Sequence, residues 1–234
     1  MNKENIIKFN QQKNGLFVDN LFIFKYKLCY VSIPKSANTS IKFELAKSAE
    51  LLDAEDYETL NNDPQLIHKI LRTKKELNYE NYTFDDFLYV TVIRNPIERL
   101  ISFYKDKIIG NGWNMRARYN HFQTYSFNSK MSFEDIVYVI KDIPDDLSEI
   151  HFRSQTTIIK QSNHNDNLKI FNIDSMDSFS EEIQRHTNLK KINFETVNKS
   201  AENGKIYLNS KIRETIIDRY HNDFLLLEKI DKNR

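Results

Sequence analysis

Apolar residues along this chain fall into a few short runs separated by longer amphipathic stretches. Residues 88–93, "LYVTVI", are nearly continuously apolar, the pattern of a strand buried on both faces in a parallel sheet. Residues 16–33, "LFVDNLFIFKYKLCYVSI", are rich in Phe, Ile, Val and Tyr and read as a hairpin that turns at Asp19-Asn20 and feeds a strand at 28–33. "LKIFNI" at 168–173 is a third strand candidate. Helical spacing separates them. Ile41, Leu45, Ser48 and Leu52 share a face over 39–52, and Ile97, Ile101, Tyr104 and Ile108 form a stripe in a helix opened by Pro96. Residues 53–87 are polar, helix or loop. "MSFEDIVYVIKDI" opens on a cap, with Asp135 three residues after Ser132. A short helix is expected in "SFSEEIQRHTN", and one final amphipathic helix in "NSKIRETIIDRYHNDFLLLEKI". Strands alternating with helices predict an α/β fold with a central, mainly parallel sheet flanked by helices. Such folds bind ligands at the carboxyl ends of their strands.

Composition narrows the field by exclusion. The 234 residues are 40% hydrophobic with a mean hydropathy of −0.62, which suits a globular chain. The formal charge is +1, so bulk charge gives no reason to expect nucleic acid or an anionic membrane as partner. One cysteine, Cys29, excludes an internal disulfide and a Cys-rich metal site. The six histidines are scattered without a metal-binding spacing, and no metal is expected. No stretch has the length of a membrane span, nor the N-terminus the form of a signal peptide, so a cytoplasmic protein is expected.

Two strand-to-helix corners carry candidate chemistry. In "IPKSANTS" (33–40) a strand enters a short loop and then a helix, whose first N–H groups and dipole favour an anion. Ser36, Ala37, Thr39 and Ser40 are small enough to let a bulky anion reach the backbone, and Lys35 adds a mobile point charge. Asn38 stands where a left-handed residue is expected. The loop lacks GxxxxGK[ST], so it is not a Walker motif. An ordinary capped turn with a solvated lysine fits the same residues. In "VIRNPIERLIS" (92–102) Arg94 ends a buried strand and needs an anion, and Ser102 follows two helical turns later. Pairing of Arg94 with Asp86 or Glu98, and simple packing of Ser102, would satisfy the same pattern.

Together the corners resemble the sulfotransferases that use 3′-phosphoadenosine 5′-phosphosulfate (PAPS), most of all the carbohydrate group with the chondroitin, dermatan and HNK-1 enzymes and heparan 2-O-sulfotransferase. "IPKSANTSIK" is similar to that group's 5′-phosphosulfate loop, and "VIRNPIERLISFYKDK" to its 3′-phosphate segment, R-(D/E/N)-P-x-E-R-L-x-S-x-Y. "HFRSQ" (151–155) resembles a His-Trp-Arg-Pro-Gln block, "VNKS" (197–200) an Asn-x-Ser element, and "YHNDFLLL" (220–227) a closing Y-x-x-D-F. His68 falls where the group often carries a histidine. Ser154 and Phe152 depart from Pro and Trp. The cysteines and membrane anchor of the secreted enzymes are missing, which implies a cytoplasmic, bacterial enzyme.

The resemblance implies a single P-loop-like domain over residues 1–234, with PAPS as donor, PAP (adenosine 3′,5′-bisphosphate) as product and a glycan acceptor such as a capsule or lipopolysaccharide. Lys35 would stabilise the leaving phosphate. Ser36, Ala37, Asn38, Thr39 and Ser40 would cradle the phosphosulfate, Arg94 and Ser102 would hold the 3′-phosphate, and Lys199 and Ser200 would close over the nucleotide. A general base titrating near neutrality favours histidine: His68 first, His151 second, with Glu44 a further candidate. Trp113, Arg116, Arg118, Tyr119, His121 and Tyr125 form an aromatic and basic stretch suited to a sugar. A kinase-like nucleotide phosphotransferase and a non-catalytic nucleotide- or glycan-binding module are the rival readings.

Overall fold

The apolar run at 88–93 forms a strand with those limits, Leu88–Ile93 (β3), and all six of its residues are buried. The computed structural model describes residues 20–74, 84–110, 127–162, 167–189, 192, 194 and 206–232. Leu21–Ile23 (β1), Leu28–Tyr30 (β2), β3 and Leu168–Asn172 (β4) make one sheet in the order β1-β2-β3-β4. β1 and β2 are antiparallel, with Leu21 opposite Tyr30. β2 and β3 run parallel with Leu28 opposite Leu88, as do β3 and β4 with Ile93 opposite Asn172.

Alternation along the strands explains why both faces are apolar. Leu28, Tyr30, Leu88, Val90 and Val92 pack on one face against Ile41 and Leu45 of Asn38–Ser48 (α1), Ile67 of Ile67–Thr73 (α3) and Phe179 and Ile183 of Met176–Thr187 (α7). Cys29, Val31, Ile33, Tyr89 and Ile93 pack on the other against Ile158 and Ile159 of Gln155–Gln161 (α6) and Leu227 of His221–Lys232 (α9). Burial raises the Cys29 thiol well above its ordinary value, as befits an inert core residue. A third core joins Pro96–Phe103 (α4), Phe133–Lys141 (α5) and Ser210–Arg219 (α8) through Leu100, Phe103, Ile136, Ile140, Ile212 and Ile216. Ala54–Asn62 (α2) lies between α1 and α3 in the chain, capped by Asp53. This is an α/β fold with a mostly parallel sheet flanked by helices. Among the described residues no helix is long and apolar enough to cross a membrane.

Three details differ from the expected elements. The hairpin of β1 and β2 turns at Phe24–Lys27, where Lys27 takes a left-handed φ of 46°, while Asp19 of the expected Asp19-Asn20 turn lies outside the described residues. Asn20 is buried, and its Oδ1 accepts the Ser32 N–H at 3.2 Å. The helix opened by Pro96 passes into π turns over Tyr104–Gly110. The final helix is two, broken at Tyr220, whose hydroxyl donates to the Phe152 carbonyl at 2.6 Å. At the start of α9 the Asp223 carboxylate accepts the N–H groups of Gln155 and Thr156, each at 2.8 Å, and so caps α6. The Y-x-x-D-F element therefore anchors the "HFRSQ" block to the rest of the fold.

Candidate active site

Both corners lie at the carboxyl ends of adjacent parallel strands. After β2 the chain makes a tight turn, closed by the Ser36 N–H donating to the Ile33 carbonyl at 3.3 Å. Lys35 and Ala37 take positive φ values of 68° and 55°, and Asn38 is the first helical residue. The left-handed position thus falls one residue before Asn38. The helix begins directly after it, and a methyl is the smallest side chain short of glycine to meet the steric cost of roughly 1–2 kcal/mol. Ala37 provides no side-chain cap, so the first N–H groups of α1 keep their pull on an anion. The Asn38 Oδ1 is buried without a hydrogen-bond partner.

After β3, Asn95 caps α4 by accepting the Ile97 N–H at 3.0 Å, with Pro96 in the first turn. Arg94 Nε donates to Glu98 Oε2 at 3.1 Å, one of the two local acids considered above; Asp86 pairs with Lys27 instead. Ser102 is half-buried on α4, and its side chain bonds to no other described residue.

Two buried side chains hold the corners together. Gln155 Oε1 accepts the Ser36 hydroxyl at 3.2 Å and the Arg94 N–H at 2.9 Å, and its Nε2 donates to the Arg94 carbonyl at 2.8 Å. Arg99 donates to the carbonyls of Pro34 at 2.9 Å, Arg153 at 2.7 Å and Ile150 at 2.9 Å. Burial lowers the Arg99 pKa, yet three carbonyls satisfy its guanidinium. The motif arginine at 99 is thus a structural staple, and Ser36 directs both its N–H and its hydroxyl inward. Phe152 fills the third core against Phe103 at 5.4 Å and Phe127 at 5.9 Å.

Lys35 Nζ donates to Asp106 Oδ2 at 2.7 Å, and Lys107 Nζ lies 3.0 Å from the same oxygen. Burial pushes the Lys35 ammonium down, Asp106 pulls it back up, and Lys107 and Arg94 push it down again; the net value is below that of an ordinary lysine. Asp106 is raised by burial but held below its ordinary value by the two lysines.

The two histidines lie in different settings. His68, on α3, has Nε2 at 3.2 Å from Thr39 Oγ1 and Nδ1 at 3.5 Å from Lys42 Nζ. An ammonium can only donate, which makes Nδ1 the acceptor and leaves the ring proton on Nε2, facing Thr39. His151 has Nδ1 at 2.7 Å from Glu149 Oε1, while its N–H donates to Oε2 at 2.9 Å. Burial raises the Glu149 carboxyl, but His151 and then Lys107 bring it below its usual value, so it is an anion. That pairing puts the proton on Nδ1 and a lone pair on Nε2. Arg99 ties the backbone carbonyls of Ile150 and Arg153, on either side of His151, to that of Pro34, the residue before Lys35. Glu44 lies 3.9 Å from Lys47 on α1.

Lys199, Ser200, Trp113, Arg116, Arg118, Tyr119, His121 and Tyr125 lie outside the described residues. No three His, Cys, Asp or Glu side chains among the described residues gather as metal ligands. Sequence reasoning passed over Gln155, Asp106, Glu149 and the packing role of Arg99. A signal did exist for Gln155, Asp106 and Arg99, since all three stand inside segments quoted above, whereas Glu149 lies in none of them.

No curated protein and no solved structure matches the chain. The sulfotransferase family matches it over residues 20–229, a span that contains both corners, the Gln155 bridge and the closing Tyr220–Asp223 anchor. A match over so much of the chain shows that it belongs to the sulfotransferase family.

Proposed function

We propose that this chain transfers a sulfuryl group from PAPS to a carbohydrate hydroxyl in the cytoplasm of a bacterium. The observation that carries the reading is the linkage of two anion-suited corners, one offering Lys35 and a helix N-terminus, the other Arg94 and Ser102, through Gln155 and Arg99. A donor with a 5′-phosphosulfate and a 3′-phosphate has one anion for each corner. The glycan acceptor rests on the resemblance of both segments to the carbohydrate sulfotransferases.

In this reading α1 and the backbone of residues 37–40 bind the phosphosulfate, with Thr39 able to add a hydroxyl. Arg94 exchanges Glu98 for the 3′-phosphate in a forked, charge-assisted contact. His151 Nε2 takes the proton of the acceptor hydroxyl while Glu149 stabilises the imidazolium. The acceptor oxygen forms a bond to sulfur as the bond from sulfur to the 5′-phosphate oxygen breaks in line. The electron pair stays on that oxygen, and PAP leaves. Lys35 stabilises its growing charge, a contribution on the order of 3 kcal/mol. His151 is preferred to His68 because its free nitrogen bears the lone pair. Incubation with radiolabelled PAPS and a panel of glycans tests the reading. Labelled glycan is the expected product, and binding of PAP without transfer to any acceptor would favour a silent binding module.

A further inference from the structure

Asp106 lies outside the corner motifs themselves, yet it makes the shortest contact to Lys35. It sits on the π turns of Tyr104–Gly110, four residues after Ser102, so one continuous helical segment carries both the candidate 3′-phosphate serine and the partner of the lysine. Lys35 has a side-chain exposure of 17% and a positive φ, so its reach is constrained. The charged groups facing it are Asp106 and Lys107 from the π turns and Arg94 from the end of β3. Lys107 also faces Glu149. Without the aspartate, three cations would share a half-buried space, and a lysine in such a place gives up its proton readily.

We propose that Asp106 is the positioning residue that keeps Lys35 charged and aimed at the leaving phosphate. The role rests on the reaction proposed above. A neutral Lys35 would contribute no charge to the breaking bond, so the carboxylate acts through the lysine and need not touch the donor. Its contact to Lys107 at 3.0 Å holds it ionised from a second side. The half-exposed position of Asp106 means that Asn can replace it without opening a cavity.

The test uses the full chain, with Asp106→Asn and Asp106→Glu. NMR titration of the isotope-labelled lysine side chains, with Lys35 assigned by its loss in Lys35→Arg, reads the charge directly and needs no turnover. Lys35 is expected to lose its proton at lower pH in Asp106→Asn than in the wild type, and Asp106→Glu to restore most of the difference. The rate should follow: relative to wild type, kcat for Asp106→Asn falls about tenfold near pH 9 and much less near pH 6.5, with KM for PAPS little changed. An unaltered Lys35 titration in Asp106→Asn overturns the proposal, as does a shifted titration with an unaltered pH–rate profile. Should Asp106→Asn unfold, Asp106→Ser serves the same comparison. Wild-type protein that transfers no label from PAPS refutes the reaction itself, a result separable from the Lys35 titration.

Discussion

Gln155→Leu tests whether one buried amide holds the site in register. The side chain is fully buried, and leucine keeps most of its volume while removing its hydrogen bonds. The Ser36 hydroxyl, the Arg94 N–H and the Arg94 carbonyl would each lose a partner. At about 1 kcal/mol for each group, the low end for a buried polar group left unpaired, the loss is about 3 kcal/mol. Water reaching the half-buried Arg94 backbone would recover part, leaving about 2 kcal/mol. Urea unfolding reads this as a lower midpoint at unchanged slope. Arg99 still ties Pro34 to residues 150 and 153, so the chain stays folded. Affinity for PAP falls about tenfold, since small displacements of positioning groups carry costs of that order or more. Gln155→Glu sharpens the test. A carboxylate can accept as the amide oxygen does but cannot donate to the Arg94 carbonyl, so its folded pKa is raised above the unfolded value. Its stability is then fully present below the unfolded value of about 4.3 and is lost as pH rises through the folded one. Stability of Gln155→Leu within about 0.5 kcal/mol of wild type, with unchanged affinity for PAP, would refute the bridging role.

Other substitutions probe the remaining roles. Lys35→Ala is expected to lower kcat by roughly a hundredfold or more with a modest change in PAP affinity, whereas Arg94→Ala weakens PAP binding roughly tenfold to a hundredfold; equal turnover in both would contradict the assignment. His151→Ala should abolish the acidic limb of the kcat/KM profile while His68→Ala retains it, and the reverse pattern would return the base role to His68. Asp145 is raised by burial but held below the ordinary carboxylate value by Ser154, Thr157 and Arg219. Its folded pKa is depressed, so its stabilisation is present above the unfolded value of about 3.9 and lost as pH falls through the folded one. Asp145→Asn should therefore be less stable near neutrality, by about 1–2 kcal/mol, and lose less on acidification; parallel pH–stability curves would contradict this.

Much of the fold was legible because local signals agreed with the tertiary outcome. The limits of β3 follow from one apolar run, and Ser132 and Asp135 cap α5 as their spacing requires. Asn20 shows that a turn-type residue can also serve as a buried acceptor, since its side chain accepts the Ser32 N–H. The break at Tyr220 was hidden because amphipathic spacing runs through it, while the contact made there, the Tyr220 hydroxyl to the Phe152 carbonyl, joins residues far apart in the chain. In the site, the corners were visible as small residues after apolar runs. Lys35 and Ala37, rather than Asn38, bear the left-handed backbone, which depends on where the helix starts. Gln155, Asp106 and Glu149 take their roles from partners far along the chain or around a turn, which periodicity cannot reveal.

Calorimetric titration with PAP in the absence of divalent metal, compared with ATP and Mg²⁺, tests the central claim most directly. The linked corners predict saturable one-to-one binding of PAP that is lost in Arg94→Ala, and much weaker binding of ATP with Mg²⁺. Tight, Mg²⁺-dependent ATP binding with none of PAP would contradict the account.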